Sequence, residues 1–217
     1  MNFFNSLFNF NLSEIIMVAC ATLIALTFHE LMHGFVAYKL GDPTAKNAGR
    51  LTLNPIAHID PIGLICMILF RFGWAKPVPV NMRWFRHPRR GMALVAAAGP
   101  VSNLLLGTLS IFIYYLLGLY APVHALTEAF MTFAAILASL NIGFAVFNLL
   151  PLPPLDGSRI MGLILPPAWY YRVMQYERYI QLAVMVLLYL GVLTRPLSIA
   201  RGWVFTGIES LVRWILL

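Results

Sequence analysis

The sequence predicts an all-α polytopic membrane protein with about five to six transmembrane helices, a re-entrant element and a short membrane-associated β-ribbon. Three observations point there. Of its 217 residues, 60% are hydrophobic and only 11% are charged, whereas soluble domains carry about a quarter charged residues. Mean hydropathy is +0.80. The apolar residues also gather in runs long enough to cross a bilayer. The net charge of +7 is then read as basic loops touching lipid headgroups rather than as a nucleic-acid surface, so the bilayer is an expected partner and nucleic acid is not.

The chain reads as a single domain over residues 1–217, with a core at about 12–165 and C-terminal helices at about 178–217. Residues 1–11 have neither a basic stretch nor a small-residue cleavage site, so no cleaved signal peptide is expected. The first span is predicted over residues 12–38 and is stopped by Gly41-Asp42-Pro43. Residues 39–91 hold Lys39, Lys46, Arg50, Arg71, Lys76, Arg83, Arg86, Arg89 and Arg90, nine of the fifteen Lys and Arg, which assigns this stretch to the cytoplasmic side. Within it, residues 59–72 are apolar but short, and they open with Asp60-Pro61-Ile62-Gly63, as suits a re-entrant or tilted element. Residues 74–81 follow, where Pro77 and Pro79 forbid a central strand but permit an edge or extended hairpin. Such an edge is a place to receive an extended peptide by strand addition.

Two further spans are expected over residues 92–119 and 126–150, joined by an outer turn without Lys or Arg. The loop after them carries Arg159, Arg172 and Arg178. Residues 179–193 and 203–217 read as two more spans, making five plus the re-entrant element, with the N-terminus outside. Cys20 and Cys66 lie in apolar segments without C-x-x-C spacing and read as buried free thiols.

The candidate chemistry lies in His29-Glu30-Leu31-Met32-His33. Histidines four apart on a helix share one face, and the glutamate beside the first reaches a water held by the same metal. This H-E-x-x-H arrangement supplies two zinc ligands and a general base. An apolar span makes three ionisable groups costly unless something pairs with them. A third ligand is needed, and the chain has eight acidic residues. Asp60 reads as a helix cap or a ligand. Asp156 follows Pro151, Pro153 and Pro154 on the same side as the histidines, so it is a ligand candidate, a helix N-cap, or both. Asn103 and Asn148 are amides within apolar helices, suited to helix–helix hydrogen bonds or to substrate contact. The extension of His29–His33 has Val36 and Lys39 where metzincins place Gly and His.

Three separated motifs together resemble the site-2 protease family of intramembrane zinc metalloproteases. They are His29-Glu30-x-x-His33, Ala98-Gly99-Pro100-x-x-Asn103 and Asn148-x-x-Pro151-x-x-x-Leu155-Asp156-Gly157. Residues 54–63, Asn-Pro-Ile-Ala-His-Ile-Asp-Pro-Ile-Gly, resemble its compact prokaryotic branch, and no PDZ-like or CBS-like insertion is visible. The resemblance implies one Zn2+ held by His29, His33 and Asp156, with Glu30 as catalytic base. It also implies Asn103 and Asn148 near the substrate, a membrane-protein substrate with a transmembrane helix, and a prokaryotic cell membrane with the site toward the cytoplasm; His58 reads as a structural residue or as an additional oxyanion donor. A transporter or channel moving metal ions or protons through the His/Glu/Asp cluster is the alternative.

Overall fold

The computed structural model describes residues 12–63 and 75–217. Residues 1–11, the greater part of the expected re-entrant element, Cys66 and Trp74 lie outside the described residues. Three long helices form the body: α1 (Leu12–Lys39), α3 (Pro88–Tyr120) and α4 (Ala125–Asn148). Each is long and apolar enough to cross a membrane, as expected for an integral membrane protein. Smaller elements complete the order: α2 (Thr44–Asn47), 3₁₀ turns at Pro55–His58 and Met82–Trp84, α5 (Asp156–Met161), α6 (Pro167–Gln175), α7 (Glu177–Tyr189) and α8 (Thr194–Leu216).

The three long helices pack pairwise against one another through small residues. On α1, Ala21, Ala25, His29, His33 and Ala37 are all buried. Their spacing of four puts them on one stripe. On α3 the buried set includes Ala96, Gly99, Asn103 and Gly107, and on α4 Ala134, Ala138, Asn141 and Ala145, again at steps of three or four. Small side chains let backbones approach closely where lipid provides no hydrophobic drive for association. The opposite faces carry exposed Leu105, Leu109 and Phe130, which suits contact with acyl chains. Cys20 is exposed on α1, correcting its reading as buried. The α1 stripe also defines depth. His29 and His33 lie ten and six residues from Lys39, or about 15 Å and 9 Å along the axis.

The stop after α1 is a Schellman motif. Gly41 adopts φ +102°, its N–H donates to the Tyr38 carbonyl and the Asp42 N–H donates to that of Ala37. Asp42, completely buried, then accepts from the Thr44 amide and hydroxyl and from the Asn81 N–H. Burial pushes the Asp42 carboxyl up, but the Thr44 hydroxyl and the two amides outweigh it and hold it below its ordinary value. This tie is therefore in place above the ordinary carboxylate range and is lost as the pH falls through the depressed value.

Two expectations are not confirmed. Among the described residues there is no β-ribbon: the sole β-feature is an antiparallel bridge between Ile59 and Ala75. Pro77 and Pro79 have no N–H to give to a ladder, and residues 76–81 form a strap tied crosswise instead. The Lys76 N–H donates to the His58 carbonyl (2.9 Å), that of Val78 to Glu30 Oε2 (2.8 Å) and that of Asn81 to Asp42 Oδ2 (2.6 Å). Arg50 donates to the Lys76 and Pro77 carbonyls at 2.6 and 3.2 Å. The count of five to six spans is not confirmed among the described residues either. Besides the three long helices, α7 and α8 make one further span only if taken together, because they bend by 86° at their junction. The thirteen residues of α7 reach about 20 Å, short of the bilayer's hydrocarbon core. Gly191, at φ +74°, turns the chain there, and α8 carries Arg195, Arg201, Glu209 and Arg213.

The strap's ties generate a prediction. Arg50→Leu removes both bonds to the Lys76 and Pro77 carbonyls and should speed amide hydrogen exchange across residues 76–81, with α1, α3 and α4 as protected as before. The global loss should be about 1.5–3 kcal/mol or less, read from thermal unfolding in detergent.

Candidate metal centre

α1 brings His29 and His33 to the α3 face, and the proline-braced turn after α4 delivers Asp156 from the far side. That turn is closed by short backbone bonds, Leu152 N–H to the Leu150 carbonyl and Leu155 N–H to that of Leu152. Asp156 is the first residue of α5 rather than its cap, since no side chain caps this helix. Asp60 does act as a cap, accepting from the Ile62 and Gly63 amides.

One ligand atom from each of His29, His33 and Asp156 lies within 4.8 Å of the others. Asp156 Oδ2 is 3.2 Å from His29 Nε2 and 3.4 Å from His33 Nε2, and the two Nε2 atoms are 3.0 Å apart. The second ring nitrogens settle the chemistry. His33 Nδ1 is 2.7 Å from the Val95 carbonyl oxygen, which only accepts, so Nδ1 carries the proton. His29 Nδ1 is 2.5 Å from Asn103 Oδ1, also an acceptor. Both Nε2 atoms therefore present lone pairs, and they face a buried carboxylate oxygen that has no hydrogen-bond partner. Three acceptors converging without a donor repel one another unless a cation lies among them. Two imidazole nitrogens and one carboxylate oxygen are a ligand set suited to zinc.

Glu30, the next residue on α1, is half-buried, and its Oε2 is held by the Val78 amide. It lines a cavity of about 550 Å³ with the three ligands, Asn148 and Arg159. The strap contributes Pro77, Val78 and Val80 to this cavity, the bridge residue Ala75 lies beside them, and α7 contributes Gln181, Val184 and Met185.

The other expected site residues separate. Asn148 lines the cavity and spends its amide nitrogen on the Phe144 carbonyl. Asn103 does not: it is wholly buried, with Oδ1 on His29 and Nδ2 on Ala25 and Asn141. That places it behind the histidine, out of reach of anything in the cavity. His58 is buried and bonded to the Thr52 carbonyl, away from the cavity lining, beneath the bridge that starts the strap. The sequence reading missed Asn141, Arg50 and Asp42. Asn141 was detectable as a third amide in an apolar helix, seven residues before Asn148 and so on nearly the same face.

Gly99 explains why this close packing needs a glycine. A Cβ there would lie 2.5 Å from His33 Nε2 and 2.6 Å from His29 Cε1. Gly99→Ala should therefore displace both rings and weaken zinc binding by about 10–100-fold, measured by competition with a chelating dye.

The profile described as Peptidase family M50 matches residues 17–192. The chain is 47% identical over 159 residues to YwhC of Bacillus subtilis, covering 72% of this chain and 73% of that one. It is 32% identical over 207 residues to Rip2 of Mycolicibacterium smegmatis, covering 90% of this chain and 76% of that one. MJ0611 of Methanocaldococcus jannaschii is 28% identical over 154 residues, 70% of this chain and 73% of its own. All three are named as zinc metalloproteases. No solved structure matches the chain. With its family profile spanning most of the sequence, including all three convergent ligands, the chain belongs to Peptidase family M50, the site-2 proteases, and is a zinc metalloprotease.

Proposed function

We propose that this protein is an intramembrane protease that hydrolyses peptide bonds in or near transmembrane segments of membrane-protein substrates. The observation that carries this reading is the convergence of His29 Nε2, His33 Nε2 and Asp156 Oδ2, with no donor among them, below the end of an apolar span. These three residues would hold the zinc. When bound there, zinc supplies a Lewis acid that acidifies water and polarises a carbonyl. Glu30 is the general base: the Val78 amide fixes one carboxylate oxygen, and the other takes a proton from the attacking water and passes it to the leaving amine.

A peptide bond inside a helix is sequestered, so the substrate must unwind before it reaches Glu30. The strap over residues 76–81 borders the cavity and is the backbone against which an unwound segment is laid. Asn148 and the apolar wall of Phe144 and Phe147 receive its side chains. The whole chain acts as one domain in a prokaryotic cell membrane. Arg83 and Arg86 precede α3, and Arg89 and Arg90 lie in its first turn, at the end nearest the three convergent side chains, which supports a cytoplasmic orientation of the site. Metal or proton transport through the same cluster is not favoured, since the family relationship is to proteases.

Purified in detergent, the protein should hold one zinc per chain and lose cleavage to a chelator. Glu30→Gln should keep the zinc and lower turnover by about 10²–10⁴-fold; unchanged turnover would remove Glu30 from the mechanism. Val78→Pro deletes the amide that holds Glu30 and should impair cleavage with zinc retained. Metal flux into liposomes that survives Glu30→Gln would instead favour transport.

A further inference from the structure

Asn141 is an amide with no exposed surface on a span whose other buried residues, beyond Thr127 in its first turn, are alanine and isoleucine. Its hydrogen bonds can be assigned atom by atom, because the network ends on backbone carbonyls that only accept. Asn141 Nδ2 donates to the Leu137 carbonyl (2.8 Å). Its Oδ1 is thereby turned to Asn103 and accepts from Asn103 Nδ2 (2.7 Å). The same nitrogen donates to the Ala25 carbonyl (3.2 Å). With both hydrogens of Asn103 spent, its Oδ1 faces His29 Nδ1 (2.5 Å), and the proton of that imidazole must sit on Nδ1.

The two histidines thus differ in how their tautomers are fixed. His33 donates straight to the Val95 carbonyl, which cannot turn over. His29 depends on a side-chain amide that can flip by half a turn. If the Asn103 amide flipped, its nitrogen would face Nδ1 and the imidazole proton would move to Nε2, removing one ligand lone pair. Ala25 alone holds Asn103 weakly, through the longest bond of the set. We propose that Asn141 is a positioning residue for zinc: it locks the Asn103 amide, and through it the tautomer and ring orientation of His29, without touching metal or substrate. This rests on His29, His33 and Asp156 being the zinc ligands.

The test compares zinc affinity at fixed pH, by competition with a chelating dye, for the full-length wild type, Asn141→Leu and Asn141→Asp in detergent. Far-UV helicity and elution volume report the fold in parallel. The leucine is close in size and cannot accept from Asn103; it should weaken zinc by about 10-fold and change the visible spectrum of the cobalt-substituted protein, with helicity unchanged. The aspartic acid, protonated in apolar surroundings, still donates to Leu137 and accepts from Asn103, so it should restore near wild-type affinity. Asn141→Ala supplies the same loss if the leucine is not accommodated. Wild-type affinity and spectrum in a folded leucine or alanine variant would overturn the proposal, as would equal weakening in the leucine and aspartic acid variants. A wild type that binds no zinc would overturn the ligand assignment itself, and a wild type that binds zinc only as loosely as His33→Ala would do the same.

Discussion

Three lone pairs pointed at one another inside a bundle of apolar helices dominate this molecule's electrostatics. In water, such a cluster would be relieved by solvent or by protonation. Here His29 and His33 have their Nδ1 protons committed to Asn103 and Val95, and Asp156 Oδ2 is buried without a partner. The fold keeps the three atoms together although, without a cation, they repel. Helix packing supplies the restraint, and a zinc ion held by the three, the metal that the family profile and the relatives' names identify, would convert the repulsion into cohesion between α1 and the turn that precedes α5. Such an ion would supply more than chemistry: it would tie Asp156 to a helix pair already joined by the His29–Asn103 and His33–Val95 hydrogen bonds.

Those small side chains are the complementary half of the design. The stripe Ala21–Ala25–His29–His33–Ala37 on α1 works because α3 answers with Ala96 and Gly99, the latter with no room for even a methyl group beside the two imidazoles. Close backbones leave no space for water, so every polar atom behind the metal must find a protein partner. Asn103 and Asn141 provide these partners. Gly107, one turn past Asn103, brings α3 against Ile142 and the Ala138 carbonyl, close enough for the two amides to meet. The hydrogen-bond network is in this sense a product of glycine and alanine spacing.

Much of the centre could be read in the chain itself. His29, Glu30 and His33 are adjacent on one helix, so their geometry follows from 3.6 residues per turn alone. Asp156 stood out as an acid after three prolines on the histidines' side of the chain, where it read as a ligand candidate, a helix N-cap or both, and the family resemblance pointed to the ligand. What could not be read was whatever depends on two segments choosing each other. Asn103 read as a helix–helix hydrogen bond or as a substrate contact, since sequence gives no sign of which side of the histidine it occupies; depth, set by the packing of α3 on α1, places it behind. The strap looked like half of a ribbon, but its partners are the side chains of Arg50, Asp42 and Glu30, none of which signals a strand. The C-terminal spans looked separate because hydropathy reads apolar length and is blind to the bend at Gly191.

One consequence of the strap's ties reaches into the reaction. Glu30 is held by the Val78 amide, and the Asn81 amide is held by Asp42 in the loop just beyond α1. The helix that carries His29, Glu30 and His33 thus also holds the backbone that borders the cavity. These side chains and the strap share one rigid reference, so errors of packing elsewhere in the bundle do not accumulate between them. Asp156, the third residue of the candidate centre, comes from outside this reference. Its register against the histidines is fixed by Gly157, where a side chain would collide with the Leu149 and Leu150 carbonyls. A glycine at that point lets the turn close tightly enough for the carboxylate to reach the pair of imidazoles, which is the physical reason an Asp-Gly pair, rather than Asp alone, completes the centre.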